Sequence, residues 1–213
     1  MYNINVKMTT AVKTPVIVYA ESTPNPAAMK FVVNKPLIEN SIPLEYLTAA
    51  DAKGSPLATE LFKFPFVKSV FISINYITVV KTETIQWDDI ILELREFVRE
   101  FLSSGKAAVT SIVTTKGTDE DKNKLKEDIQ SNDHTTPQGD IEVKIINTLE
   151  QYIRPAVEQD GGMIVFRSFK DGIVNLSMKG ACSGCPSSTV TLKAGIETLL
   201  KKFIPEVKEV VSE

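Results

Sequence analysis

Apolar residues change period several times along this chain, and each change predicts an element. Val16–Ala20 and Met29–Val33 are short β-branched runs around Ser22-Thr23-Pro24-Asn25-Pro26, a turn punctuated by two prolines; they read as two strands. Residues 37–54 give no clear pattern. Ser55-Pro56 is a helix start, with serine as cap and proline at the first helical position. Leu57, Leu61 and Phe62 would face inward from that helix, which stops before Pro65. Val67–Ile74 and Tyr76–Val80 predict a hairpin turning near Asn75. Then the period lengthens: Trp87, Ile90, Ile91, Leu94, Phe97, Val98 and Phe101 mark one face of a helix, with Glu93, Arg95, Glu96 and Arg99 opposite. On that face Trp87 and the phenylalanines read as core rather than as a cofactor box.

From Ser104 to Gly139 the pattern disappears into Ser, Thr, Lys, Asp and Gly. Such a composition cannot bury enough apolar surface to fold and reads as a solvated linker. As a flexible coil it would hold its ends roughly 30–35 Å apart, and the domains on either side would move almost independently. Periodicity returns at Asp140, which would cap a helix burying Ile141, Ile145, Leu149 and Ile153. Arg154-Pro155 kinks or restarts it, and Asp160-Gly161-Gly162 ends it. Met163–Phe169 and Ile173–Met178 flank Lys170-Asp171-Gly172, a strong hairpin signal. A last helix carries Leu192, Ile196, Leu199 and Phe203 on one face, Pro205 closes it, and Val207–Val211 predicts a final strand. The expected fold is α+β: two small α+β domains, residues 15–103 and 140–213, joined by a flexible polar linker over 104–139.

Composition narrows the function. The chain has 213 residues, 43% of them hydrophobic, and a net charge of −3. That balance argues against a nucleic-acid binder, and no apolar run approaches the roughly 20 residues a membrane span needs. Residues 1–14 lack both a signal-peptide core and the arginine-rich pattern of an organelle leader, so the expected compartment is the cytoplasm. In that reducing compartment a Cys-x-x-Cys pair points to metal or redox chemistry rather than to a structural disulfide.

The chain has two cysteines, Cys182 and Cys185, both within Gly180-Ala181-Cys182-Ser183-Gly184-Cys185-Pro186. They fill half of a four-thiolate site, so a closed centre of that kind would take its other two thiolates from a second molecule. His134, the lone histidine, has no cysteine at ligand spacing and is not expected to be a ligand or a base. With Pro186 as the first helical residue, Cys185 would sit at or beside the cap, where unpaired amides and the helix dipole favour thiolate. Ser183 and Gly184 would let the backbone approach a bound group, and helix capping is the expected work of Ser187, Ser188 and Thr189. Three other readings stand behind a cluster site: a thiol–disulfide redox protein using the pair, a structural zinc dimer, and an interaction module with incidental cysteines. Among the residues of the first domain there are no paired carboxylates, glycine-rich phosphate loop or basic groove. Client recognition or positioning of the second domain is its expected role.

Ile153-Arg154-Pro155, Asp160-Gly161-Gly162, Cys182-Ser183-Gly184-Cys185-Pro186-Ser187-Ser188 and Thr191-Leu192-Lys193-Ala194-Gly195-Ile196-Glu197 together resemble the C-terminal domain of NifU-like (Nfu) iron–sulfur scaffold and carrier proteins. Thr23-Pro24-Asn25-Pro26, Met29-Lys30-Phe31, Ser55-Pro56-Leu57-Ala58 and Leu61-Phe62 resemble the N-terminal domain found in many of them. The resemblance implies a carrier rather than an enzyme. It implies iron and cluster binding, with a [4Fe–4S] cluster held between two protomers by Cys182 and Cys185 of each, or a [2Fe–2S] form. It also implies a homodimer on cluster binding, upstream cluster-assembly proteins as donors and apo iron–sulfur proteins as recipients. Asp160-Gly161-Gly162 carries over as a structural turn, and Met163 stands where relatives often place a polar residue.

Overall fold

A computed structural model of the chain describes residues 14–38, 42–110, 134–183 and 186–212, with the backbone alone for 186–188. The first domain is a five-stranded antiparallel sheet built from β1 (Val18–Ser22), β2 (Ala28–Val33), β3 (Leu44–Tyr46), β4 (Val67–Ile72) and β5 (Tyr76–Lys81), in the order β1-β2-β5-β4-β3. Helices α1 (Pro56–Leu61) and α2 (Trp87–Ser103) cover one face. Ser55 caps α1 as expected, its Oγ accepting from Ala58 N at 3.0 Å, and Pro56 opens the helix. Leu57 and Leu61 are fully buried and Phe62 packs at the edge of the same core. The stretch without a readable pattern holds β3 and a short 3₁₀ turn, Asp51–Gly54. Both are too brief to show a period.

Strand alternation sends Met29, Phe31 and Val33 of β2, and Ile77 and Val79 of β5, into the core with Leu94 and Val98 of α2. The intervening residues point the other way, yet β2 and β5 are buried at every position. The second domain covers that other face.

This domain begins with α3 (Asp140–Thr148), a π-helical turn (Leu149–Ile153) and α4 (Arg154–Gln159). Gly139, not Asp140, is the capping residue, and Asp140 instead places its charge in the first turn. Pro155 has no N–H to give, which fits the break in the helix at this point. Next come β6 (Gly162–Lys170) and β7 (Ile173–Gly180), an antiparallel hairpin. At its tip Asp171 and Gly172 both have positive φ, 55° and 88°, as a two-residue turn of the right twist requires. Helix α5 (Pro186–Phe203) leads to β8 (Glu209–Ser212), which pairs parallel to β7. The buried face of α5 corrects the expected one. Ile196 and Leu200 are fully buried with Leu192 at the margin, whereas Phe203 is 47% exposed and stacks on Tyr152 at 5.1 Å.

The linker expectation falls mostly on residues 111–133, outside the described residues. Its described flanks lie against the domains. Ala108 is buried and its carbonyl accepts from Ser55 Oγ at 2.7 Å, and Thr110 N donates to Gly54 O at 2.9 Å. Thr135 N donates to Phe166 O at 3.0 Å. Nearly independent motion of the two domains is not what the structure presents: the described parts of the domains are packed together. Val32, Phe71 and Tyr76 form one apolar cluster with Met163 and Val165, and Ala28 and Val80 form another with Ala181. Thr78 Oγ1 donates to Gly161 O at 2.6 Å, and Lys30 Nζ donates to Gln159 O at 3.0 Å. Met163 is therefore an interface side chain.

Candidate functional site

The cysteine loop begins where β7 ends. Gly180 pairs with Gly162 across the hairpin and turns the chain with φ +65°. A side chain at Gly180 would meet Gly161 O at 2.7 Å and the Phe71 ring at 3.1 Å. Ala181 N donates to Gly161 O at 3.2 Å, and Ser183 N donates to Gly180 O at 3.1 Å. Thr189 Oγ1, on α5, donates to Cys182 O at 3.3 Å, so this hydroxyl ties the helix to the loop. Cys182 Sγ rests above the backbone of Gly162; a Cβ there would lie 2.4 Å from the sulfur. The Asp160-Gly161-Gly162 turn thus shapes the floor of the loop, which accords with the structural role implied for it.

Cys182 is a free thiol, 7% exposed. Burial pushes it up to about 12, helped by the carboxylates of Asp160 and Glu45. Helix-terminus reasoning expected thiolate to be favoured in this motif. At Cys182 the reverse holds, because lost hydration and two nearby negative charges both oppose ionisation. Cys185 lies outside the described residues. Helix α5 does start at Pro186, after the second cysteine. Among the described residues no group of three or more His, Cys, Asp or Glu side chains is placed to hold a metal ion. Cys182 fits a cluster in ligand type, as a soft sulfur donor, but this closed position withholds it from a second chain.

Two first-domain side chains hold the loop. Asn25 is 2% exposed and its Nδ2 donates to Ala181 O at 3.0 Å and Ser183 O at 3.3 Å. Its own turn orients it: Asn25 Oδ1 accepts from Ala27 N at 3.0 Å and Asn25 N donates to Thr23 Oγ1 at 3.2 Å. From the other side Glu45 Oε1 accepts from Gly180 N at 2.8 Å and Ser183 Oγ at 3.4 Å. A cavity of about 440 Å³ lies between the domains, lined by Pro24, Asn25, Asp160, Ala181, Cys182, Thr191 and Leu192. The sequence showed a turn held by two prolines around Asn25, but nothing in it singled out Asn25 or showed what it holds. Glu45 sits in the stretch with no readable pattern and gave no signal.

His134 stands apart from this loop. Its side chain is 4% exposed, Nδ1 accepts from Phe166 N at 2.7 Å, and Nε2 lies 2.7 Å from Glu150. Because Nδ1 accepts an amide proton, the ring proton sits on Nε2 and is donated to Glu150. Arg154 bridges Glu150 and Glu158 at 2.6 and 2.7 Å. The histidine fastens residue 134 to β6; its bonds are structural.

Two domains of this build, with a Cys-x-x-Cys corner between strand and helix, define a class. Residues 18–105 match the family model "Scaffold protein Nfu/NifU N terminal" and residues 145–211 match "NifU-like domain". The chain is 36% identical over 195 residues to the human protein named NFU1 iron-sulfur cluster scaffold homolog, mitochondrial, covering 91% of this chain and 70% of that one. It is 36% identical over 198 residues to NifU-like protein 4, mitochondrial, of Arabidopsis thaliana, covering 92% and 65%. The chain belongs to the Nfu/NifU-like scaffold family. The cytoplasmic expectation is corrected by the same relatives. Both are named mitochondrial, which points to the mitochondrion, and the composition of the first 14 residues does not set the compartment.

Proposed function

We propose that this chain is an iron–sulfur cluster scaffold and carrier, not an enzyme. Its cargo is a [4Fe–4S] cluster held between two protomers by Cys182 and Cys185 of each, received from upstream assembly proteins and passed to apo iron–sulfur proteins. The observation that carries the reading is the corner itself. Cys182 lies two residues beyond the end of β7, where Gly162 and Gly180 leave no side chain in the way, in a chain that spans both family domains. Two thiols per chain supply half of a four-thiolate set, so pairing of chains and cluster binding are one event.

Anaerobic reconstitution with iron and sulfide tests this. The expected product is brown, contains about four irons per two chains, and is dimeric only when loaded. About two irons per two chains would indicate a [2Fe–2S] form. Cys182→Ala and Cys185→Ala should each abolish stable cluster binding and leave the apo fold intact. A colourless monomer that cycles between dithiol and disulfide would replace the scaffold reading with thiol redox chemistry.

A further inference from the structure

In the docked arrangement the first domain and the proposed cluster site compete for the same loop. The first domain holds residues 180–183 through polar contacts above and apolar packing beneath. Asn25 Nδ2 spans the carbonyls of Ala181 and Ser183, and Glu45 Oε1 takes the Gly180 amide and the Ser183 hydroxyl. Beneath them, Ala181 packs on Ala28 and Val80 of the sheet. The thiol-bearing residue between these anchors is 7% exposed; it packs into the second domain's own core, turned down over Gly162, and lines the cavity that Pro24 and Asn25 close from the first domain. A ligand to a centre shared with a second chain has to project outward.

We propose that the first domain is a lid on the cysteine loop: Asn25 and Glu45 hold the unloaded chain closed, and the sheet face must release the loop before a cluster is shared with a second protomer. The inference rests on the scaffold reading for what the opened loop receives; closure itself rests on geometry. Release uncovers apolar surface, the clusters of Val32, Phe71, Tyr76, Met163 and Val165 and of Ala28, Val80 and Ala181, so the closed form is favoured until something displaces it. The clamp itself consists of hydrogen bonds that exchange for hydrogen bonds to solvent. The lid thus gives the first domain a task within the reaction sequence: it withholds the thiol until assembly or delivery displaces it.

The full chain carrying Cys185→Ser keeps Cys182 as its one thiol. Its labelling by N-ethylmaleimide, followed by mass spectrometry, reports how often the loop opens. Asn25→Asp retains the Oδ1 acceptor for Ala27 N but removes the Nδ2 donor and sets a carboxylate against two carbonyls. It should speed labelling by at least about tenfold, equivalent to ~1.4 kcal/mol, with an unchanged far-UV spectrum. Equal labelling rates in a folded variant would overturn the lid. If Asn25→Asp unfolds the first domain, Glu45→Ala tests the other anchor with the same expectation. A measurement on the unmutated chain needs no variant: the Gly180 amide should lose hydrogen-exchange protection when iron and sulfide are taken up, and retained protection in the loaded chain would sink the proposal. The two readings separate cleanly. Faster labelling in the Cys185→Ser background with no uptake of iron and sulfide by the unmutated chain would keep the lid and remove the scaffold, whereas uptake by the unmutated chain with unchanged labelling would do the opposite.

Discussion

The two faces of the first-domain sheet are both buried, but by different chemistry. Toward α1 and α2 the sheet presents Phe31, Val33, Val70, Ile72, Ile77 and Val79, all apolar and nearly all fully buried. Toward the second domain it presents Val32, Phe71 and Tyr76 together with Lys30 and Thr78, whose polar ends reach carbonyls of Gln159 and Gly161. Among the described residues no fully buried side-chain nitrogen or oxygen lacks a partner. The first face has nothing to offer water and is a permanent core. The second is mixed: the polar groups it hides can rebind solvent, whereas Val32, Phe71 and Tyr76 would lose their apolar cover. One sheet therefore serves both as the spine of a domain and as half of a separable contact.

The sharpest way to test that contrast is to damage each face in turn. Phe31→Ala on the helix-covered face should cost about 3–5 kcal/mol, since a fully buried aromatic is replaced by a cavity. Denaturant unfolding of the full chain would show the first domain losing most of its stability. Thr78→Val on the opposite face keeps shape and removes one hydrogen bond. Gly161 O still accepts from Ala181 N at 3.2 Å, so the expected cost is about 1 kcal/mol. It should fall on docking rather than on the domain. Hydrogen exchange would show faster opening at Gly161–Ala181 with unchanged protection in β2 and β5. A global loss of stability from Thr78→Val would mean the second face is core after all.

Much of this architecture was legible, and the gaps have physical causes. Helix α2, the cap at Ser55 and the hairpin at Asp171-Gly172 follow from local rules that act within a few residues, so a sequence displays them directly. The inner face of α5 was misread because Leu199, Leu200 and Phe203 compete for one stripe. Packing chose Leu200 and left Phe203 to stack on Tyr152. The docking of the domains was hidden for another reason. The run Tyr76–Val80, broken only by Thr78, lacks the regular polar alternation of a half-exposed strand, as a strand covered on both faces does, but the run does not name its second cover. The polar linker pointed toward independence. In the site, Cys182 announced itself by spacing, and the direction of its ionisation did not. The helix dipole is a property of the motif alone, while burial comes from the packed core of the second domain and the opposing charges from Asp160 and Glu45, neither of which belongs to the motif. Long-range partners of this kind leave no periodic trace.

The finest test of the two faces is a titration. Burial between the domains pushes the Tyr76 hydroxyl up to about 12, from an ordinary value near 10. A group whose folded-state value is raised favours the packed form fully below the unfolded value. That contribution disappears as pH climbs from about 10 toward 12, where tyrosinate would have to be dry. The chain has five tyrosines, so the signal is the difference in phenolate absorbance between the parent and Tyr76→Phe. In the parent that difference should have its midpoint near 12. In Asn25→Asp, where the contact is loosened, it should move back toward 10 without loss of the fold. An ordinary midpoint in the parent would mean that water already reaches the second face at equilibrium. The contrast would then reduce to one dry face and one face that is covered but wet.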